Sequence, residues 1–440
     1  MLQLKPETPD LWDSILPEEL RKLPEALARV DILLKDERLM EPFVRRFSQT
    51  QGRPGVPIST YLRLMYLKFR YKLGYETLVA EVSDSIAWRR FCGIGYQQRV
   101  PDASTLIKLT QKFGDEMLVE INRLIIANLR EKKLVRGRKI RTDTTVIASD
   151  IHYPTDAGLL FDGLRRLRQK LIKVPGIGLR LGRTMTKAKK MIFSIAQALR
   201  KRDGKSRERV KTINRNILRI VRKTVIKVKR VLRRVKDPRV RGHLETTLGL
   251  TDRVADQSAE RLAGGKPTDR LVSLADPGAR PIVKGKLDKP VEFGRTGQIT
   301  QDESGYFTQY GVHNGTPGDT TLLPGIVAEH GKQFPKTLKE FAADMGFSSE
   351  ANRKLLEKRR VSRIGMAWRG NAPPDIRAKQ QRAWFKALMA FRAGIEGSLS
   401  FLNRKFGLKR SMFRGDAGAG IWVGWCVVAA NLYRFGKGSG

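Results

Sequence analysis

An aspartate set among β-branched residues is the first feature of this sequence that could do chemistry. Asp143 lies in RTDTTVIASDIHYPTDAGLL (residues 141–160), flanked by Ile140, Thr142, Thr144, Thr145, Val146 and Ile147. Such a run predicts a short, largely buried strand. An ionised carboxylate there is costly unless it is paired or binds a metal, so Asp143 is either a salt-bridged edge residue or part of a metal site. Near the other end, RAWFKALMAFRAGIEGSLSFLNRKFGLKR predicts a helix, with Trp384, Leu388, Phe391, Ile395, Leu399 and Leu402 forming an apolar stripe. Arg392 and Glu396 are four apart and share a face of it. They make either an i,i+4 ion pair worth a few tenths of a kcal/mol or a carboxylate that completes a metal site beside an arginine that reaches a phosphate. Asp344 follows the weakly strand-like KEFAA, and Gly346 and Ser348–Ser349 suit a turn that caps the next helix.

The composition says what such a site would act on. In 440 residues, 86 Lys and Arg face 44 Asp and Glu, a net charge of +42. A balance that basic implies a polyanionic partner, nucleic acid first. Two cysteines and four histidines, none at ligand spacing, argue against a structural zinc site, and Cys92 and Cys426 read as reduced core residues of a cytosolic protein. The N-terminus does not read as a signal peptide, because acids and a proline stand where an apolar run belongs. The longest apolar stretch, IWVGWCVVAANLY (421–433), is too short to span a bilayer and predicts a buried helix.

In chain order, residues 14–48 predict helix, and QGRPGVP (51–57) a turn-rich linker. Ser59 is expected to cap the helix STYLRLMYLKFRYKL. YETLVAEVSDSIAWRRFCGIG and DASTLIKLTQKFG then add short helices between Gly- and Pro-marked turns. Pattern alone fits a helix-turn-helix-like bundle or a plain packing bundle equally. Another helix is expected over 114–134. Residues 161–240 hold 28 Lys and Arg against 4 Asp and Glu. Within them an amphipathic helix is expected over about 204–236, its apolar stripe running through Ile213, Ile217, Val221, Val225, Val228 and Val235. Its basic face is either solvated or a phosphate-backbone contact. KPVEFGRTGQIT and ESGYFTQYGVHNG predict an antiparallel hairpin turning at QDESG, and a helix begins near Asp319.

These stretches carry a resemblance. DTTVIASDIHYPTDAGLL resembles the first catalytic strand of DDE transposases from bacterial insertion sequences, specifically the ISNCY group. SDSIAWRRFCG and PDASTL are similar to the helical domain that precedes the catalytic domain there, NGTPGDTTLL resembles a loop of the same family, and Asp344-Met345-Gly346-Phe347 matches its D-x-G-[FY] motif. Arg392 and Glu396 match the R-x₃-E core of a longer motif whose outer Tyr and Lys are here Met389 and Asn403, with Arg404 or Lys405 as substitute cations. The residue after the second Asp is often basic in the family and is Met345 here. The order is the specific part: strand Asp, long insert, hairpin, D-x-G-F, then R-x₃-E on a helix.

The resemblance implies a mixed α+β chain. An N-terminal helical segment (1–50) would precede a helical DNA-binding domain (51–134), and a ribonuclease-H-like catalytic domain would span 135–156 and 267–415. A basic helical insertion (157–266) would lie between its first and second strands, and 416–440 would form a C-terminal helix and tail. Asp143, Asp344 and Glu396 would be the metal ligands and Arg392 would position phosphate. Arg89, Arg90, Lys108, Lys112, Arg404 and Lys405 are the candidate DNA contacts. Two Mg²⁺ ions, replaceable by Mn²⁺, prefer oxygen ligands and suit two Asp and one Glu. One would activate water or a DNA 3′-hydroxyl, and the other would stabilise the leaving oxygen. Asp150, Asp156 and Asp319 read as turn or capping residues, and His152 and His313 as structural hydrogen-bonders. The implied activity is transposition at terminal inverted repeats into target DNA, by a homodimer or higher assembly, in the bacterial cytoplasm at the nucleoid, with no membrane role. Two rivals stand beside it: a nuclease that cuts without joining, and a decayed relic that only binds DNA, for which Met345, Met389 and Asn403 speak. Single-stranded-RNA modules with aromatic stacking signatures are absent.

Overall fold

The computed structural model describes residues 2–4, 17–48, 55–174, 179–201, 204–283, 291–368 and 370–438. The first residues of the helical stretch expected from 14, and most of the expected linker 51–57, lie outside them. The chain forms two compact units, residues 1–148 with 295–440, and residues 149–294.

The first unit is built on a mixed sheet. β1 (Lys139–Ser149) is the run around Asp143, and β3 (Val291–Asp302) and β4 (Phe307–His313) are the expected hairpin, paired antiparallel from Thr296↔His313 to Gln301↔Phe307. β1 pairs parallel with β5 (Glu340–Ala343), which pairs parallel with β6 (Arg363–Gly365), and a two-residue β7 (Arg410–Ser411) adds to β1. Partners along β1 and β3 run in opposite directions: the Lys139 amide donates to Glu303, the Thr142 hydroxyl to the Ile299 carbonyl, and Ile147 lies against Gly297. The order β4-β3-β1-β5-β6 is the mixed, ribonuclease-H-like arrangement that was expected. Buried polar side chains between β1 and β3 satisfy one another, Thr300 donating to Thr142 at 3.0 Å and Gln298 to Thr300 at 2.6 Å, as buried hydroxyls and amides must.

Helices surround this sheet. From the N-terminus come α1 (Glu18–Arg21), α2 (Glu25–Leu34), α3 (Glu41–Arg46), α4 (Ile58–Tyr71), α5 (Tyr75–Asp84), α6 (Ile86–Cys92), α7 (Ala103–Phe113) and α8 (Glu116–Glu131). α4 is buried on nearly every face. Ser59 does not cap it: the helix starts one residue earlier, after Pro57, and Ser59 is buried in its first turn. The backbone supplies the cap instead, because the amides of Ile58 and Ser59 donate to the carbonyls of Gln3 and Leu4. That satisfies donors a helix start otherwise leaves orphaned. A buried ion pair, Arg63 to Asp31 at 2.6 Å, ties α4 to α2.

The next four helices belong to the second unit, and the first resumes after the hairpin with α13 (Asp319–Gln333), α14 (Glu350–Lys358), α15 (Pro374–Gln381), α16 (Ala383–Phe406) and α17 (Gly415–Gly436). α17 contains the longest apolar stretch and is buried from Gly418 to Leu432. It shares one hydrophobic core with α2, α4 and α8, in which Trp425 stacks on Phe69. Among the described residues no helix is long and apolar enough to cross a membrane.

The second unit packs four helices, α9 (Asp156–Leu171), α10 (Gly182–Arg200), α11 (Ser206–Leu232) and α12 (Pro238–Leu262). The expected stripe on α11 is buried at Ile217, Val221, Val225 and Val228, while its Lys and Arg lie at the surface. β2 (Arg280–Val283) closes this unit by pairing antiparallel with the first residues of β3, Val283↔Val291 to Arg280↔Gly294.

At the β3–β4 turn Asp302 is fully buried, and its Oδ1 accepts from the Tyr306 amide at 3.0 Å. Burial, with Glu303 beside it, pushes its pKa up to about 7. The folded chain therefore holds this proton more tightly than the unfolded chain. The associated stability is fully present below the ordinary carboxylate pKa and is lost as pH rises to about 7. Asp302→Asn keeps the acceptor and removes the charge. Chemical denaturation at pH 5 and pH 8 should find the variant more stable than wild type at pH 8 by on the order of 1–3 kcal/mol, and less so at pH 5. An equal difference at both values would show that Asp302 does not titrate in this range.

Candidate active site

Register brings the first two acidic residues together. In the parallel pair β1–β5 the last partners are Thr142↔Ala343, so the next residues on the two strands are Asp143 and Asp344. Parallel neighbours in register point to the same side of a sheet. Asp344 ends β5 as the N-cap of a short 3-10 turn, Met345–Phe347, and its side chain accepts from the Met345 amide. The D-x-G-F stretch thus stops the strand where the carboxylate is needed. α16 packs across β5 and β6, with Leu388 set against Gly365, where a Cβ would collide with it.

Arg392 on α16 joins the three carboxylates. Its Nη2 lies 3.2 Å from Asp143 Oδ2 and 3.6 Å from Asp344 Oδ2, and its Nη1 lies 3.5 Å from Glu396 Oε1. The i,i+4 pair of Arg392 and Glu396 exists, and the same guanidinium also reaches the sheet. The side chains grade from closed to open: Asp143 is 15% exposed, Arg392 16%, Asp344 52% and Glu396 71%. Burial raises the pKa of Asp143 to about 6; the Thr144 amide and Arg392 hold it down, while Asp344 and Asp319 push it further up. A partly buried carboxylate crowded by others favours its neutral form until a cation compensates it.

The approach of α16 to β1 depends on Gly394. A Cβ there would strike the Arg141 guanidinium, which donates to the Phe391 carbonyl at 2.6 Å and to Gln301 Oε1. Lys139 and Arg141 also lie over the Phe391 ring, 4.4 and 4.7 Å from its centre. Gly397 has open space around it.

Asp319, expected to be a turn or capping residue, is the first residue of α13, yet its Oδ1 accepts from the Thr144 hydroxyl at 3.1 Å. Only its place in NGTPGDTTLL marked it in the sequence. Asp156, expected to be a turn or capping residue, is the first residue of α9 and pairs with Arg261, while Thr155 caps the helix by accepting from the Gly158 amide. The candidate DNA contacts separate. Lys108 and Lys112 lie exposed on one face of α7, Lys112 with its ammonium over Phe47, and Arg404 and Lys405 are exposed at the end of α16. Arg90 is half-buried. Arg89 is buried, its guanidinium donating to the carbonyls of Gly95, Tyr96 and Gln98, so in this structure it closes a loop.

Two family matches bear on this site. Residues 16–112 match the family described as transposase domain (DUF772), and residues 288–432 match the transposase DDE domain. The second stretch contains Asp344, Arg392 and Glu396, and the sheet adds Asp143 to them. The chain belongs to the DDE transposases of insertion sequences. Comparison with curated proteins and with solved structures gives no match.

Transposases of this family use divalent metal. As the side chains stand, no group of three or more His, Cys, Asp or Glu among the described residues is set to hold a metal ion. The donor set nevertheless fits one. Three hard oxygen donors converge on a single cationic group, which is the coordination chemistry of Mg²⁺, with the Arg392 guanidinium standing where positive charge is wanted. Removing that guanidinium leaves the carboxylates facing each other. Arg392→Ala should destabilise the transposase in EDTA by roughly 1–3 kcal/mol, less than a fully buried pair would cost because two partners are half exposed or more. Added Mg²⁺ should raise its melting temperature more than that of wild type. Identical melting of the two proteins in EDTA would show that Arg392 does not compensate these charges.

Proposed function

We propose that this transposase binds the terminal inverted repeats of an insertion sequence and catalyses metal-dependent strand cleavage and strand transfer. The observation that carries the proposal is the meeting of Asp143, Asp344 and Glu396 on one guanidinium. These three would hold two Mg²⁺ ions, or Mn²⁺ in their place. When bound, the ions supply activation of a water or 3′-hydroxyl and neutralisation of the leaving oxygen.

The residues of the chain do the rest. Asp143, the least exposed carboxylate, is the fixed point, and Glu396, the most exposed, adjusts around it on α16. Arg392 has a buried Nε with no hydrogen-bond partner among the described residues. Once its carboxylates are neutralised, that fork is free to grip a phosphate with parallel donors. Duplex DNA would be held by Lys108, Lys112, Arg404 and Lys405, and by the second unit. There Arg180 and Lys187 face Lys223 and Lys227 of α11 across a groove lined by no acid. Both ends of an element must be brought together, so the acting form would be a homodimer or larger, working on DNA in the bacterial cytoplasm.

Cleavage of a labelled duplex carrying the flanking repeats tests the chemistry, with Mg²⁺ or Mn²⁺ and with Asp143→Ala and Glu396→Ala as controls. Metal-dependent nicks at the repeat boundary, absent from both variants, are expected, and precut 3′-hydroxyl ends should be joined to target DNA. Cutting that survives both substitutions would refute the assignment. Cutting without joining would make the protein a nuclease, and specific binding without any product would make it the decayed relic that Met345, Met389 and Asn403 suggest.

The cationic groove is tested separately. Exchanging Arg180, Lys187, Lys223 and Lys227 for Gln should weaken duplex binding at every sequence. It should also flatten the dependence of log K on log salt by about 4. An unchanged slope would remove this groove from the DNA interface.

A further inference from the structure

We propose that Asp319 is a fourth acidic member of the site, a positioning residue that fixes Asp143 against Asp344 and adds its charge to the field that attracts a divalent cation. The proposal rests on the reading of Asp143, Asp344 and Glu396 as a cation site. An aspartate in the first turn of a helix ordinarily has a local explanation, since its charge suits the helix dipole. Here the carboxylate reaches beyond its own helix to two other elements. Its Oδ1 accepts from Thr144 Oγ1 at 3.1 Å, and Thr144 is the residue next to Asp143 on β1. Its Oδ2 lies 2.5 Å from where a Cβ on Gly346 would stand, and Gly346 is two residues beyond Asp344. Asp319 is thereby wedged between the two strands' catalytic ends.

The wedge is itself braced. Asn352, buried on α14, donates from Nδ2 to the Thr320 carbonyl and to the Phe347 carbonyl, both at 2.9 Å. The start of α13 is so fastened to the turn that carries Asp344. Gly346 acquires a reason in the same geometry: with a Cβ there, the Asp319 carboxylate would have to shift. The electrostatics agree, because Asp319 is one of the groups that raise the proton affinity of Asp143. Such a charge costs stability in the absence of a cation and strengthens attraction for one, as neighbours of metal ligands generally do.

Mn²⁺ binding by the full chain without DNA, followed by the electron paramagnetic resonance of free Mn²⁺, tests this apart from catalysis. Asp319→Asn keeps an acceptor for Thr144 and removes the charge, and its affinity should fall roughly tenfold or more while its circular dichroism matches wild type. Thr144→Val, which keeps the charge and removes the hydroxyl, should also weaken binding, and Thr144→Ser should restore it. Wild-type affinity in Asp319→Asn, with affinity lost in Asp143→Ala, would overturn the role of Asp319 and leave the cation site standing. Wild-type affinity in both would overturn the cation site itself. Should Asp319→Asn fail to fold, the Thr144 pair decides: affinity unchanged in Thr144→Val would refute the positioning role.

Discussion

The structure depends on one costly contact, two carboxylates set side by side by the parallel register of β1 and β5. Backbone hydrogen bonds fix Thr142 opposite Ala343, which sets the next residues, Asp143 and Asp344, beside each other. Asp344 is one of the groups that raise the proton affinity of Asp143, and the ordinary remedy is a compensating cation. Arg392 provides one, and to do so α16 has to lie close on the sheet. Gly365 and Gly394, each without the Cβ that would collide with Leu388 or Arg141, are what closeness requires. The helix itself is held by buried side chains such as Leu388, Ile395, Leu399 and Leu402, and Arg392 uses that position to reach both aspartates.

That contact could not be sustained by the site alone. The surrounding core is large, and it runs through α2, α4, α8 and α17 into the hairpin of β3 and β4. α17 buries an almost unbroken apolar sequence there, and each large side chain so buried contributes on the order of 2 kcal/mol. Asn431 of the same helix donates to Asn122 and to the Phe307 carbonyl, which fixes α17 and α8 against the hairpin. The second unit divides its labour differently. α11 is held by a buried valine and isoleucine stripe, while its lysines and arginines lie at the surface. Most of that charge faces outward from a separately packed stripe, while Lys229 and Arg222 pair with Asp252 and Asp256 of α12.

What could be read from the sequence follows from the range of the interactions concerned. β1, the hairpin, the amphipathic α11 and the buried α17 each carry a periodicity of their own, so each was legible. The turn at Asp344 was legible because a glycine and two serines interrupt a strand. β6 and β7 were not, since three- and two-residue strands exist through pairing, as in Glu340↔Arg363, and have no room for a pattern. The cap on α4 was misread because Ser59 is a good capping residue by type, whereas a distant segment, Leu2–Leu4, satisfies the helix start. Arg89 looked like a phosphate ligand because its charge is visible in the sequence and its three carbonyl partners are not. The grouping of Asp143, Asp344 and Glu396 came from order along the chain, and its geometry needed the sheet.

On the function proposed above, the guanidinium among the carboxylates also separates two requirements that a DNA-cutting site must reconcile. The site has to be assembled before DNA arrives, and it has to be harmless until then. An empty cluster of carboxylates would meet the second requirement and fail the first, because repulsion would loosen it. A cluster closed by a buried, fully satisfied arginine would meet the first and resist opening. Arg392 lies between these limits. It makes contacts of 3.2 to 3.6 Å with three carboxylates and leaves its own Nε unsatisfied. Bonds of that length are weaker than an ideal bidentate pair at 2.7–2.9 Å, so the arginine holds the acids in register without being committed to them. On the proposed function, a cation of higher charge density would compete for the same oxygens and a phosphate would offer the displaced fork a better partner, so that assembly and activation would be successive uses of one side chain.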